Sequence, residues 1–325
     1  MTTTLPRSAF WSYGFAFLGA HLAFMPLLVL LLPRRVESVS PDDPAGLLSW
    51  LLLTGGIVAG FAHLAAGALS DRWIAARGNR RGLIAIGAGL LALAYLGFAV
   101  ANTPAALFAA LIFFQLALNT CFAPLGALLT DHFPDVVKGR LGGLMNAALP
   151  TSTLLIAPIA WLFPEDDAFA FLLVGAFAVC CFVPLLANWN LGALVVGGGA
   201  EAPATPPTKA TLRTDFVLAW SARLLVQIGA AFVIGYIYLY IAATQADDPA
   251  WREIGSSEIL AILTAPTAVL AILATLVAGY ISDARGARRI PVFVSALVFA
   301  VGMAILAAAP QPALFIAAFG LFQIG

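Results

Sequence analysis

The sequence is poor in charge, with 10% Asp, Glu, Lys and Arg against 62% hydrophobic residues. Soluble domains carry about a quarter charged residues, so water is not the main solvent of this chain. The formal net charge is zero, which argues against a basic nucleic-acid surface and a nucleic-acid partner. Its three cysteines, Cys121, Cys180 and Cys181, lie in apolar stretches without metal-ligand spacing and read as helix-packing residues. No phosphate-cradling Gly-x-x-x-x-Gly-Lys-Ser/Thr loop, nucleophile elbow or His-Glu-x-x-His pair occurs, so ATP-driven pumping and hydrolysis lose support. No enzyme activity and no cofactor is expected. Alternating strands of about ten residues, the mark of a membrane barrel, are missing as well.

Long apolar runs are what the chain does have. A membrane crossing needs about 20 residues, and hydropathy places helices near 10–32, 47–70, 82–101, 104–127, 141–163, 168–190, 214–243, 255–280 and 290–309. These nine complete spans are followed by 313–325, too short to cross, so the chain is expected to end inside the membrane. An all-α polytopic membrane protein is implied, since only internally paired backbone is stable in lipid. The first apolar run has only Arg7 before it and no close cleavage site, and reads as a retained helix.

The polar interruption 191–213 holds Gly197, Gly198, Gly199, Pro203, Pro206 and Pro207, a composition of linkers. It divides a first six-helix half, 1–190, from an incomplete second half, 214–325. With the N-terminus inside, alternate loops hold twelve of the sixteen Lys and Arg residues, and the opposite loops hold Arg34, Arg35 and Arg252. That asymmetry predicts a cytoplasmic N-terminus and a cytoplasmic linker in a bacterial-type inner membrane. Nine of the sixteen acids fall in the opposite loops, with Glu258 just inside the eighth span.

Gly67-Ala68-Leu69-Ser70-Asp71 after the second helix recurs as Gly279-Tyr280-Ile281-Ser282-Asp283 after the eighth, 212 residues later. Each copy precedes paired arginines, Arg80-Arg81 and Arg288-Arg289. The repeat implies two parallel halves. Glycine permits close helix approach, and a carboxylate at a helix C-terminus needs a cation. Asp71 is therefore expected to meet a loop arginine, in a clamp that holds the two halves in one state.

These residues resemble the major facilitator superfamily, whose signature between helices two and three, and eight and nine, is Gly-x-x-x-Asp-x-x-Gly-x-Arg-Arg. Gly279, Asp283, Gly286, Arg288 and Arg289 fit it position by position. The first copy is longer, Ser70-Asp71-Arg72 running through Arg77 to Gly78-Asn79-Arg80-Arg81, and is similar to the sugar–cation symporter branch (glycoside–pentoside–hexuronide and sucrose-transporter-like). Gln115, Asn119 and the run Ala123 to Asp131 also resemble that branch. The resemblance implies the major facilitator fold, two six-helix halves with the second truncated here. It further implies gating by Gly67, Asp71, Arg72, Arg80, Arg81 and their second copies, and transport of a small polar solute, most readily a sugar. An efflux carrier of the same fold and a non-transporting membrane sensor or scaffold remain alternatives.

A two-half carrier binds its substrate near the midplane, where few polar groups are available. Arg223 is costly in a span unless it faces a cavity, pairs or snorkels, and Gln227 shares its face. Gln115, Asn119 and Asn146 offer further substrate-binding groups. Trp50, Tyr13, Tyr236 and Tyr240 could stack on a sugar or belong to an interfacial belt. His63 stands where symporters of the resembled branch carry an aspartate. No Asp or Glu lies deep in any expected span, so a proton or sodium coupling ion would fall to His63 or His21, each equally readable as a packing histidine.

Overall fold

The computed structural model describes residues 7–133, 135–163, 167–189, 209–245, 254–285, 289–308 and 312–324. The first crossing is α1 (Arg7–Pro26), a π turn at Leu27–Leu31 and α2 (Leu32–Val39). Pro26, which has no N–H to donate, precedes the π turn. The second, third and fourth crossings are α3 (Pro44–Arg77), α4 (Arg81–Val100) and α5 (Pro104–His132). The fifth is split into α6 (Asp135–Leu154) and α7 (Ile156–Leu162), and the sixth into α8 (Asp167–Cys180) and α9 (Val183–Ala187). The second half contributes α10 (Lys209–Gln245), α11 (Ser256–Arg285), α12 (Arg289–Ala308) and α13 (Pro312–Ile324).

Local chemistry sets the helix ends. Asp43 caps α3 by accepting from the Gly46 amide at 2.9 Å, with Pro44 in the first turn, the position where its missing N–H costs nothing. The same helix stops at Gly78, whose φ of 74° is the left-handed region that suits glycine. Thr103 and Pro104 repeat the start signal for α5.

Eight helical stretches among the described residues are long and apolar enough to cross a membrane. The ninth expected crossing, α12, has a shorter described apolar stretch, Phe293–Ala308. The first span runs to Val39, so Arg34, Arg35 and Glu37 are helical where a loop was expected.

Glycine and aromatic residues knit the first half. Phe98 stacks on Phe171 with ring centroids 5.5 Å apart, and the buried Tyr95 donates to the Ala23 carbonyl at 2.6 Å. A Cβ on Gly87 would stand 2.5 Å from the Cys121 backbone nitrogen, so α4 and α5 touch backbone to backbone there. Gly87→Val is expected to cost at least about 1–3 kcal/mol through overpacking. A lowered thermal midpoint of the detergent-solubilised protein, alongside an unchanged Gly89→Val control, checks this, because Gly89 faces open space.

The halves meet through α6 and α7 against α11, and through α10 against the π turn, α2 and α3. Across the second seam Tyr238 donates to Glu37 at 2.9 Å and Tyr236 to Ser49 at 2.6 Å. A Cβ on Gly235 would lie 2.8 Å from Leu52. All three contacts lie at the end of the bundle where Arg34 sits. Towards the other end, α10 leaves Phe216, Leu218 and Trp220 exposed.

Candidate functional site

Three polar assemblies occupy the first half, one at the repeated motif, one midway along the spans and one at the Arg34 end. In the first, Arg80 stands just before α4, and its side chain is only 6% exposed. Its guanidinium donates to Ser70 Oγ, to Asp71 Oδ1 at 3.1 Å and to Asp131 Oδ2 at 2.7 Å. It thereby ties the C-terminal ends of α3 and α5 together, supplying the cation that carboxylates there require. Arg77 stacks over Trp73 with 4.7 Å to the ring centroid, and Trp73 packs against Gly82, which orients the connecting loop.

Each described partner of Arg80 belongs to the first half, and the surroundings of the second copy, which a clamp between the halves would need, lie outside the described residues. Asp71 meets its arginine but remains 75% exposed, whereas Asp131 is 22% exposed and closer. Arg72 and Arg81 are exposed. A Cβ on Gly67 would meet nothing within 4 Å, so no close helix approach occurs at that glycine. Gly279 and Asp283 fall in α11 and Arg289 begins α12, with their side-chain surroundings outside what the structure describes; Gly286 and Arg288 lie outside the described residues.

The second assembly gathers α1, α3 and α5 around Phe122. His21 lies edge-on to that ring at 5.8 Å, His63 at 6.2 Å and Phe17 at 5.4 Å between centroids. His21 Nδ1 is 2.9 Å from the Phe17 carbonyl. A carbonyl only accepts, so the His21 proton sits on Nδ1. His63 Nδ1 is 2.9 Å from Asn119 Oδ1, and the Asn119 amide donates to the Gln115 carbonyl at 2.8 Å. That second bond turns Oδ1 towards His63, which places its proton on Nδ1 too. With Nδ1 donating, the neutral form of either ring offers Nε2 as an acceptor.

Gln115 and Asn119 are buried, and His63 is exposed. The histidines and the two amide residues expected from sequence thus converge, joined by Phe122, which sequence reading did not single out. Arg223 and Gln227 do not join them; both are exposed on α10, as snorkelling allows. Asn146 is exposed on α6, Trp50 is exposed, and Tyr13 is fully buried against Phe133 and Met145. Among the described residues no group of three or more His, Cys, Asp and Glu side chains could hold a metal.

A third group of polar contacts, which sequence reading assigned to loops, closes the Arg34 end. Arg34 and Arg35 are 8% and 9% exposed, and both face Asp167 at the start of α8. Arg34 also donates to the Phe163 carbonyl at 2.9 Å, and Arg35 to Asn102 Oδ1 at 2.9 Å while lying over Phe171. The signal available beforehand was the pairing of adjacent arginines with acids in the loops of one side.

Membrane-length helices and a duplicated loop motif define a multi-pass membrane protein. The model of the Major Facilitator Superfamily matches residues 10–325, and the chain belongs to that family. Among solved structures, it is similar to a bacterial homolog of the human lysosomal transporter Spinster in its inward-facing, occupied conformation, with a TM-score of 0.62, 15% identity, and 98% of this chain and 70% of that one covered. The unoccupied inward-facing form of the Spinster homolog gives 0.58 at 16% identity, covering 98% and 72%. A D-xylose–proton symporter gives 0.59 at 15%, covering 98% and 80%. At these identities the likeness is one of fold. No curated protein matches the chain.

Proposed function

We propose that the chain is a secondary active carrier for a small polar solute, most readily a sugar, working by alternating access in a bacterial-type inner membrane with its N-terminus cytoplasmic. The observation that carries this reading is the pair of imidazoles, His21 and His63, that both pack against Phe122 and can each offer Nε2 as an acceptor. Sugars present many hydroxyl donors and one apolar ring face, so two acceptors beside an aromatic ring suit them. The longer first motif and the fold likeness to a D-xylose–proton symporter support the same substrate class. With the charge-derived orientation, the seam at the Arg34 end is the outer closure.

Uptake of a sugar panel by proteoliposomes of the full chain under an imposed proton gradient tests the proposal. Movement of none of the sugars, or movement of lipophilic cations instead, overturns it. His63→Ala is expected to weaken binding of the transported sugar about tenfold, the value of one lost hydrogen bond of about 1–3 kcal/mol with its partner left unpaired. Tryptophan-quenching titration with the transported sugar measures it, and an unchanged dissociation constant would remove His63 from the site.

A further inference from the structure

Two neighbouring helices of the first half are distorted at the same depth. α1 gives way to the π turn at Pro26, and the fifth crossing breaks at Leu155, whose amide reaches only to the Ser152 carbonyl at 3.3 Å, with Pro158 just beyond. Between them and α8 lies a cavity of about 170 Å³, walled by Leu22 and Pro26, by Leu155 and Pro158, and by Val174 and Phe177. Each described residue that lines it is apolar. Leu162, Leu173 and Phe177 at its rim are exposed, so it opens on the surface that meets lipid. Phe163 also lines it, and its carbonyl accepts from Arg34, which sets the cavity towards that end of the span.

A second cavity of about 180 Å³ follows the same pair of helices. Trp11, Phe15 and Leu18, which line it, share one face of α1 with Leu22 and Pro26, because they recur at helical spacing. Opposite them stands Thr151, whose hydroxyl is already donated to the Ala147 carbonyl at 2.6 Å. The two cavities therefore form one furrow, rising about 22 Å from Trp11 to Pro26 along a hydrocarbon layer about 30 Å thick.

We propose that this furrow binds an acyl chain of a membrane phospholipid, seated in the cavity between α1, α7 and α8 and retained there when the surrounding lipid exchanges. Water needs two to four polar partners, and an apolar cavity of about 150 Å³ stays dry and takes up hydrocarbon instead. A sugar would leave its hydroxyls unpaired against these walls. A helix of a second copy, about 10 Å across, is too broad to enter. An acyl chain is thin, wholly apolar, runs along the furrow's own direction and surrounds the rim already. Filling the gap supports α7, which also packs against α11 of the second half. The assignment needs only the membrane location of the first half and holds whatever solute the chain carries.

The test reconstitutes the full chain with phosphatidylethanolamine bearing a diazirine on one acyl chain, exchanges the lipid for detergent, irradiates, and maps the adducts by mass spectrometry. Adducts at Leu155, Pro158 and Val174 are expected to exceed those at Leu93 and Leu96, exposed on α4, by about tenfold, the ratio that a modest preference for an enclosed site gives. Val174→Phe puts a ring in the cavity and should abolish the adducts at Leu155 and Pro158 while leaving those at Leu93. The same variant should no longer gain thermal stability from added phospholipid, as the parent protein should. If the larger ring at 174 prevents folding, Leu155→Phe fills the same space. Adducts in the furrow that fall with those at Leu93 and Leu96 on detergent exchange mean surface lipid only and overturn the proposal. Adducts that survive both substitutions, or that a transported sugar displaces, overturn it as well. Failure of every sugar to move in the uptake assay removes the carrier reading and leaves the lipid site intact.

Discussion

Asp167→Ala is expected to be the most destabilising single substitution of a polar residue in the first half. Asp167 faces two arginines whose side chains are 9% and 11% exposed. Removing the carboxylate takes away the acid that both cations share in the protein interior, where the Phe163 carbonyl and Asn102 are neutral acceptors. Removal of one partner from a buried ion pair costs about 3–5 kcal/mol, because the surviving charge has lost its solvent and its counter-ion together. Asp167→Asn keeps the shape and one hydrogen-bonding oxygen, so its loss should be smaller. The triple variant Arg34→Met, Arg35→Met, Asp167→Ala should regain part of the stability, since a buried ionic group can often be replaced by apolar side chains at little cost. Thermal unfolding of the solubilised protein checks all three. If Asp167→Ala unfolds with the parent protein, the arginines are held by something other than that carboxylate.

Arg80→Ala is expected to follow closely, with the larger consequence for transport. Its guanidinium serves three acceptors on two helices, a task that uses the rigid fork of donors and that a lysine's single ammonium does not reproduce. Arg80→Lys should therefore recover little. Arg81→Ala, exposed, should stay within about 0.5 kcal/mol of the parent, as surface changes do. Between the acids, Asp131→Asn should be worse than Asp71→Asn, because Asp131 is the more shielded and the nearer of the two. Unfolding midpoints and initial uptake rates rank the series. An Asp71→Asn effect exceeding that of Asp131→Asn would mean that Asp71 acts in another conformation, with the second half as its partner.

That ranking shows where sequence reading succeeds and where it stops. The repeat placed Arg80 and Arg81 together, and spacing treats adjacent arginines alike; only the fold turns one inward and the other to the surface. Hydropathy located the crossings because it records how much chain the hydrocarbon must hold. It ended the second near Ser70, whereas α3 continues to Arg77, since a helix outlasts the bilayer until a cap such as Gly78 stops it. The same rule ended the first span near residue 32. Arg34, Arg35 and Glu37 look like loop residues until Asp167 and Tyr238, distant in sequence, are brought beside them. His63 and Asn119 were visible as polar residues in apolar runs, but their bond and the proton position it dictates depend on the packing of α3 on α5. At Gly67 a sequence rule about close packing meets a conformation in which that glycine faces open space.

The wide turn at Leu27–Leu31 sets the angular phase of the helix beyond it. A π turn takes up one residue more than an α turn, which offsets the downstream helix by about 100° from an unbroken α-helix. Leu32–Val39 is the segment so rotated, and it carries Arg34 and Arg35 into the protein. Inserting one further apolar residue among Leu27 to Leu31 would leave hydropathy almost unchanged and yet swing two guanidinium groups by more than a quarter turn away from Asp167, whereas deleting one lets the turn close to α geometry and keeps them in phase. An apolar stretch whose composition looks freely interchangeable is thus intolerant of added length.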